Sequence, residues 1–372
     1  MAGLHMPRMA RTDWGIAVLT LALVLIGLVM IYSASYSFPL LGWEDVTGPA
    51  HFFKRQIIFG AIGLVGMLLA WRIDYHYYRQ RSVALIILGA TLLLLIVTAL
   101  LRSRWLLGGS VQPFEFAKIG AIVYIAVWLD SVGQNIRRVT LGLVPFALLL
   151  GVIAGLVVAQ PDFSSTALLV ATATTMFFVA GADSKQLLIM LGAGASTLLG
   201  VANIVPYMRK RIAIWPDPLS DPLKSGFQTV QGLVALNRGR WLGVGFTRSL
   251  QKLHLGRVPH TDYIFAIIAE EFGFIGALAI IALYALWVWR GFRIARSAAD
   301  PFGRILAVGL VSWVAFQAAL NVAVVTNSVP VTGTVLPFVS YGGSSLISLL
   351  TMVGILLNIS RADHHRRQER GL

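Results

Sequence analysis

Residues 14–35 read WGIAVLTLALVLIGLVMIYSAS, a run without a single charged side chain. A helix of about 20 predominantly apolar residues is long enough to cross the hydrocarbon core of a bilayer. The run is therefore predicted to be a membrane span. Because it is long and follows the charged residues Arg8, Arg11 and Asp13, it is predicted to be retained as the first span and not cleaved as a signal peptide.

The same pattern recurs along the whole chain. It predicts an all-α integral membrane protein with ten transmembrane helices, forming one polytopic domain over residues 1–372. One large loop, 207–261, separates the seventh span from the eighth. The ten predicted spans are 14–35, 52–71, 82–101, 113–129, 139–159, 163–181, 186–206, 262–289, 304–326 and 341–359.

Composition agrees with a membrane protein and excludes several other classes. Hydrophobic residues make up 57% of the chain and charged residues 12%, with a mean hydropathy of +0.77, whereas soluble domains carry about 25% charged residues. The chain has no cysteine, which excludes disulfides, thiolate metal sites and cysteine catalysis. The net charge of +14 indicates basic cytoplasmic loops and an anionic lipid or substrate; a nucleic acid partner is not predicted.

The distribution of Lys and Arg predicts the orientation. With the N-terminus inside, the short inner loops are rich in Lys and Arg and the short outer loops are poor in them, so both termini are predicted to be cytoplasmic. The loop 207–261 is then outside, where it carries nine Lys or Arg and only the acidic residues Asp217 and Asp221. Either it is a solvated basic loop near lipid headgroups, or it forms an external site for an anionic group such as a lipid phosphate.

Charged residues within predicted spans are costly and mark candidate sites. Glu115 and Lys118 are three residues apart at the start of the fourth span, so they share one helix face and can form an ion pair. The pair can orient the helix, contact a substrate, or do both. Asp162 follows the fifth span and is predicted to cap the sixth helix.

Three features near the outer end of the predicted bundle stand out together. Asp262 lies between the basic loop and an apolar run, where a carboxylate is either a general base or a helix cap. Glu270 and Glu271 lie two turns deeper, and at least one must face a polar partner. Residues 335–345, VLPFVSYGGSS, predict broken helix, which membranes tolerate only when it is buried in protein or lines a watery cavity. If the basic loop, Asp262 and the Gly-Ser turn share one cavity, that cavity opens to the outer leaflet.

Short motifs in a fixed order cover almost the whole chain. They are MIYSAS at 30–35, KRQ at 54–56, RIDY at 72–75, RWL at 104–106, QPFEFAK at 112–118, QPD at 160–162, GFQ at 226–228, QKL at 251–253, HTDYIFA at 260–266 and VLPFVSYGGSS at 335–345. On these motifs the chain resembles the RodA/FtsW family of shape, elongation, division and sporulation proteins. Three places depart from the family pattern: Phe114, where the family usually has Ser; RVP at 257–259, where it usually has Pro-Glu; and Asn327, where Gly is commoner.

The resemblance implies a ten-span peptidoglycan glycosyltransferase that polymerises lipid II at the outer face of the bacterial cytoplasmic membrane. It also implies a divalent cation, Mg²⁺ or Mn²⁺, a class B penicillin-binding protein as transpeptidase partner, and other proteins of the elongation or division complex. The family's catalytic aspartate corresponds to Asp262, and its functional Glu and Lys correspond to Glu115 and Lys118. No carboxylate cluster in the sequence defines the metal ligands.

The implied reaction needs a base beside the attacking hydroxyl and positive charge beside the leaving pyrophosphate. Asp262 is the candidate base. The candidate cations are Arg104, Lys118, Arg211 and Lys252, and the further candidates for contact with the substrate are His260, Ser344 and Ser345.

Two other functions fit the same residues. A lipid II flippase would also use intramembrane charges and broken helices, but its polar groups should lie near the midplane, whereas here they gather toward the outside. A scaffold that only recruits a transpeptidase would not need Asp262. Between cell division and elongation, QKL at 251–253 resembles division and sporulation members and the short termini resemble elongation members; we favour division.

Overall fold

The computed structural model describes residues 12–35, 50–101, 105, 111–160, 162–255 and 259–369. The described chain is predominantly α-helical, which confirms the predicted all-α class. The helices are α1 (Trp14–Ser35), α2 (His51–Arg72), α3 (Arg81–Leu100), α4 (Phe114–Val132), α5 (Val144–Val158), α6 (Phe163–Val179), α7 (Ser184–Ile204), α8 (Pro206–Ile214), α9 (Phe227–Gly239), α10 (Gln251–His254), α11 (Ile264–Ser297), α12 (Pro301–Val325) and α13 (Gly343–Glu369).

Each predicted span coincides with one helix of this bundle. Within the described ranges, nine helices are long and apolar enough to cross a membrane. The remaining predicted span, 163–181, corresponds to α6, an apolar helix of 17 residues, which is about 25 Å long. The integral membrane character is therefore confirmed, while the exact number of ten crossings stays a prediction.

The centre of the bundle consists of α11, α12 and α13, which are mostly buried, whereas α2, α3 and α7 expose most of their surface. Glycines allow α2 and α13 to pack closely: a Cβ at Gly354 would lie 2.3 Å from the Met67 carbonyl oxygen. Two tryptophans are fully buried in the core and satisfy their indole N–H groups there. Trp287 donates to Thr20 Oγ1 at 2.8 Å, and Trp313 donates to Gln317 Oε1 at 2.8 Å.

The large loop is folded, because two helices of this region, α9 and α10, pack on α11. Helix α9 buries Thr229, Gly232, Ala235 and Gly239 against its neighbours. Trp215 ties the beginning of the loop to the end of α12, since its Nε1 donates to the Asn327 carbonyl oxygen at 3.0 Å.

The loop is also inserted into a break in α11. Gly273 has φ 70° and ψ −168° inside this helix, so the normal ladder of backbone hydrogen bonds is interrupted there. The loop restores it: Val244 N–H donates to the Glu270 carbonyl at 2.9 Å, and Phe274 N–H donates to the Arg240 carbonyl at 2.8 Å. A helix break among apolar residues is stable only when its backbone groups find such partners. The loop and α11 therefore form one structural unit.

Replacing Gly243 by Ala tests this unit. Gly243 has φ +82°, and a Cβ there would lie 2.1 Å from the Glu271 carbonyl oxygen, so the loop must shift out of the break. We expect a loss of at least about 2 kcal/mol of stability, from the strained φ together with the steric overlap. The measurement is the thermal unfolding midpoint of the purified protein.

The matched control is Gly151→Ala. Gly151 is a helical glycine of α5 with nothing within 4 Å of the position that a Cβ would occupy, and Ala is favoured over Gly in a helix by about 1 kcal/mol. The control is expected to keep or raise the midpoint. A Gly243→Ala midpoint equal to wild type contradicts the proposed insertion.

Candidate functional site

A cavity of about 470 Å³ lies where α2, α4 and α6 meet the segments that precede α11 and α13. Both polar and aromatic side chains line it. Its described lining is Phe52, Arg55, Phe59, Trp105, Gln112, Glu115, Asp162, Ser164, Ser165, Leu168, His260, Thr261, Asp262, Trp313, Gln317, Gly333, Thr334, Val335, Tyr341, Gly342, Gly343, Ser344 and Ser345. The sequence-based expectation that Asp262 and the Gly-Ser turn share one cavity is met.

Asp262 is held in place through its backbone. Asn321 Nδ2 on α12 donates to the Asp262 carbonyl oxygen at 2.9 Å and to the Thr334 carbonyl oxygen at 2.6 Å. The side chain packs beside Gly333, where a Cβ would lie 3.2 Å from Asp262 Oδ2. Because burial penalises the ionised carboxylate, the pKa of Asp262 is raised to about 6, although the nearby positive charge of Arg211 opposes the shift. Asp262 therefore titrates where a general base is effective.

The broken segment before α13 forms the wall beside Asp262. Leu336 N–H donates to Ser340 Oγ at 2.8 Å, and the same hydroxyl donates to the Thr261 carbonyl oxygen at 2.6 Å. Tyr341 N–H donates to the His260 carbonyl oxygen at 2.8 Å. This non-helical backbone is buried in protein and lines a cavity, as the sequence predicts.

His260 lines the cavity as a neutral ring. Its ring centroid lies 4.3 Å from that of Phe52 and 5.3 Å from that of Tyr341. Burial lowers the pKa of His260 to about 3, because the imidazolium would be poorly solvated. The structure therefore gives His260 aromatic packing, and no positive charge at neutral pH.

Glu115 and Lys118 form the predicted ion pair on α4. Glu115 lines the cavity and also accepts a hydrogen bond from Ser348 Oγ at 3.2 Å. Lys118 is fully buried behind it, with its Nζ 5.3 Å from the ring centroid of Trp313. Lys118 does not line the cavity, so its charge acts on the cavity through Glu115.

Of the other predicted cations, the structure describes two, and neither of them lines the cavity. Arg104 lies outside the described residues. Arg211 lies close enough to Asp262 to lower its pKa, but its Nη1 donates to the Val331 carbonyl oxygen at 2.6 Å and it does not line the main cavity. Lys252 is not brought to the cavity: it is buried, with its Nζ 2.5 Å from the Thr247 carbonyl oxygen and 3.4 Å from Glu271 Oε1.

Lys252 belongs instead to the contacts that hold the loop on α11. Glu271 accepts hydrogen bonds from Ser33 Oγ at 2.6 and 2.8 Å and pairs with Lys252. Glu270 accepts from Ser249 Oγ at 2.5 Å and forms an ion pair with Arg238 at 3.2 Å. Both glutamates are thus fully buried with polar partners, which meets the expectation for adjacent acidic residues in a span.

The serine turn at the start of α13 carries two hydroxyls of the cavity wall. Ser344 Oγ accepts a hydrogen bond from Gln112 N–H at 3.1 Å. Ser345 Oγ is buried and has no hydrogen-bond partner within the described part of the chain. A buried hydroxyl without a partner is costly, so Ser345 is the wall group with the most to gain from a polar ligand.

Two residues that line the cavity, Arg55 and Gln317, were not predicted from the sequence. Arg55 is the only Lys or Arg among the described lining residues. It stands between Phe52 and Phe59 at helical spacing, a signal that one face of α2 points inward. Gln317, four residues before Asn321 on the otherwise apolar α12, likewise indicates that one face of its helix points inward.

Asp162 caps α6, as predicted, by accepting a hydrogen bond from Ser165 N–H at 3.1 Å, and it also lines the cavity.

The acidic groups of the cavity do not form a complete metal site by themselves. The described ranges contain no group of three or more His, Asp or Glu placed to hold a metal ion. Besides the candidate base Asp262, the lining offers the carboxylate of Asp162. Mg²⁺ commonly takes one or two carboxylates and completes its ligands with substrate phosphates, and the donors present fit that mode.

Comparisons with known proteins match the chain over nearly its whole length. A family model described as "Cell cycle protein", for FtsW, RodA and SpoVE, matches residues 14–365. The chain is 39% identical to stage V sporulation protein E of Bacillus subtilis, over 95% of this chain and 98% of the relative. It is also 39% identical to a probable peptidoglycan glycosyltransferase FtsW of Trichlorobacter lovleyi, over 95% of this chain and 94% of that protein.

Solved structures show the same fold. One chain, from a study of the structural coordination of polymerization and crosslinking by a peptidoglycan synthase complex, matches with a TM-score of 0.76 and 30% identity, over 95% of this chain and 98% of that chain. The rod shape determining protein RodA of Thermus thermophilus matches with a TM-score of 0.69 and 26% identity, over 95% of this chain and 98% of that chain.

Proposed function

Because this chain belongs to the family of FtsW, RodA and SpoVE cell cycle proteins, we propose that it is a peptidoglycan glycosyltransferase that polymerises lipid II into glycan strands. The observation that carries the proposal is the buried carboxylate of Asp262 in a cavity of about 470 Å³ with a cation on its wall. The bacterial inner membrane is the location that the apolar helices and the family support.

The proposed chemistry is a single displacement at a sugar carbon. Asp262 takes the proton from the 4-hydroxyl of the incoming GlcNAc, and the hydroxyl oxygen forms a bond to C1 of the MurNAc at the end of the growing chain. The bond from C1 to the lipid pyrophosphate breaks, the pyrophosphate leaves with the electron pair, and the linkage inverts from α to β. A carboxylate with a pKa of about 6 is deprotonated at neutral pH and still basic enough to accept this proton.

Charge on the cavity wall supports the departure of the pyrophosphate. Arg55 lines the cavity, and its guanidinium can donate two parallel hydrogen bonds to phosphate oxygens. Arg211 lies behind Asp262 and contributes a longer-range field. Arg104, His260, Ser344 and Ser345 are proposed as further contacts of the sugar and phosphate groups.

A divalent cation, Mg²⁺ or Mn²⁺, is part of the proposal. Asp162 is the carboxylate that would hold it together with the phosphates of the substrate. When bound, the ion would neutralise negative charge on the leaving pyrophosphate.

We place the cavity on the outer side of the membrane and both termini in the cytoplasm. The support is the concentration of Lys and Arg in the short loops on the opposite side. In the same proposal, a class B penicillin-binding protein is the partner, because a chain of this fold belongs to a synthase complex that combines polymerization with crosslinking. A role in division is favoured by similarity to FtsW and sporulation relatives.

The direct test supplies lipid II and Mg²⁺ to the protein purified with its transpeptidase partner. Glycan chains resolved on a gel would support the glycosyltransferase. Translocation of lipid II across a vesicle membrane without polymer would favour the flippase alternative. Neither activity from a folded, partner-bound complex would favour the scaffold.

The raised pKa of Asp262 predicts the pH dependence of the reaction. The base must be deprotonated, so kcat/KM should be constant above the pKa and fall about tenfold per pH unit below it. With the pKa raised to about 6, the fall begins near pH 6, about two units above an ordinary aspartate. Initial rates of polymerisation between pH 5 and 8 measure this; a kcat/KM that stays constant down to pH 5 argues against Asp262 as the base.

A further inference from the structure

A second cavity, of about 660 Å³, lies at the end of the bundle opposite to Asp262. It is formed between the last turns of α11, the first turns of α12 and the end of α6. The atoms that face it are almost all apolar and include the side chains of Val179, Phe292 and Val308. Such a wall suits acyl chains and does not suit a small soluble anion, which needs polar contacts around it.

Three arginines border this groove. Arg293 and Arg296 lie near the end of α11, and Arg304 lies in the first turn of α12. All three are exposed, and none forms an ion pair with a carboxylate in the part of the chain that the structure describes. By contrast Arg290, one turn earlier on α11, pairs with Asp13 at 2.8 Å.

The acidic residue nearest to these arginines in the chain is already engaged elsewhere. Asp300 begins α12 and accepts a hydrogen bond from Gly303 N–H at 2.9 Å. It also accepts from the hydroxyl of Tyr75 and lies 3.1 Å from Nε2 of His76. The three guanidinium groups therefore carry positive charge that no described carboxylate neutralises.

A tryptophan indicates the level of the groove relative to the membrane surface. Trp289 lines it and is 55% exposed, and the guanidinium of Arg293 lies 5.8 Å from the centre of its ring. Exposed tryptophans with a basic neighbour are typical of the level of the lipid headgroups in membrane proteins. The apolar wall thus lies at acyl-chain level and the arginines at phosphate level.

We propose that this groove is a binding site for an anionic phospholipid, with the phosphate on Arg293, Arg296 and Arg304 and an acyl chain on the apolar wall. Charge decides the occupant, because a neutral phospholipid would leave the three positive charges uncompensated. Basic pockets between transmembrane helices are built to bind such headgroups. The site is separate from the Asp262 cavity, and the proposal holds whether or not the chain is a glycosyltransferase.

The test is the binding of phosphatidylglycerol to the full-length protein, measured by native mass spectrometry, for wild type and the triple variant R293Q/R296Q/R304Q. Each basic residue near an anionic lipid contributes roughly fivefold in affinity. We therefore expect the triple variant to bind phosphatidylglycerol at least about tenfold more weakly. Phosphatidylcholine should bind more weakly than phosphatidylglycerol to wild type and equally to both proteins.

The charge-matched control is R72Q/R138Q/K185Q, which removes three exposed cations at or near helix ends on the same predicted side. It should bind phosphatidylglycerol like wild type. As a second readout, phosphatidylglycerol in phosphatidylcholine liposomes should raise the unfolding midpoint of wild type and control but not of the triple variant, because a ligand stabilises only the state that binds it. Equal loss in both triple variants, or equal binding of the two lipids to wild type, overturns the proposal.

Discussion

Asp262→Asn is expected to lower the rate of lipid II polymerisation by about 10²- to 10⁴-fold, the range that a general base contributes. Asn preserves the size of the side chain but cannot accept the proton of the attacking hydroxyl. Asp262→Ala is expected to have an effect of similar size. The measurement is the initial rate of glycan chain formation by the complex with its transpeptidase partner.

The same substitution has an opposite expected effect on stability. Burial raises the pKa of Asp262 to about 6, so the folded state disfavours the ionised carboxylate at pH 8 relative to the unfolded chain. A neutral Asn removes that penalty, and the unfolding midpoint at pH 8 should stay equal or rise. An inactive protein of undiminished stability separates a catalytic role from a structural one.

Asp183→Asn is the matched control. Asp183 is exposed and caps α7 by accepting a hydrogen bond from Lys185 N–H at 3.1 Å, and the amide oxygen of Asn can accept the same bond. This variant should polymerise lipid II at the wild-type rate. If Asp262→Asn also retains a rate within about threefold of wild type, far from the loss expected of a missing base, Asp262 is not the base.

The second large effect concerns the buried pair on α4. Glu115→Gln leaves the ammonium of Lys118, which is fully buried, without its counter-ion. Removing one partner of a buried ion pair costs about 3–5 kcal/mol, so a large drop in the unfolding midpoint is expected. Adding Lys118→Met removes the orphaned charge with a side chain of similar length, and the double variant should recover most of the lost stability.

Activity of the double variant then separates the two roles that the sequence leaves open. Because Glu115 lines the cavity, we expect polymerisation to stay at least about tenfold below wild type although stability has returned, which corresponds to about 1.4 kcal/mol of transition-state stabilisation. Activity that returns together with stability would make the pair purely structural.

A surface ion pair provides the comparison for the stability measurement. Arg79 Nε lies 2.8 Å from Asp130 Oδ2; the side chain of Arg79 is half-exposed, whereas that of Asp130 is 9% exposed. Asp130→Asn should cost no more than about 1 kcal/mol, because the Arg79 charge that it leaves unpaired is still in contact with solvent. A cost as large as that of Glu115→Gln would mean that burial of Lys118 is not the cause of the effect.

The sequence by itself determined the membrane fold and identified Asp262, Glu115 and the segment 335–345 as parts of the site. Hydropathy and helical period are local properties, so apolar runs predicted where the helices lie, although α11 continues eight residues and α13 ten residues beyond the predicted ends. The ion pair of Glu115 with Lys118 was also predictable, because residues three apart on a helix must meet. The broken segment at 335–345 was predictable because unsatisfied backbone must be buried in protein or line a cavity.

Only the tertiary structure decided which charges reach the cavity. Arg55 reaches it because α2 packs beside the segment before α13, and Lys252 does not, because Glu271 and Thr247 bind its ammonium elsewhere. The insertion of the loop at Gly273 depends on backbone groups of Arg240 and Val244, more than 25 residues away in sequence. Such contacts join segments whose separation along the chain bears no relation to their distance in space, and a local pattern carries no information about them.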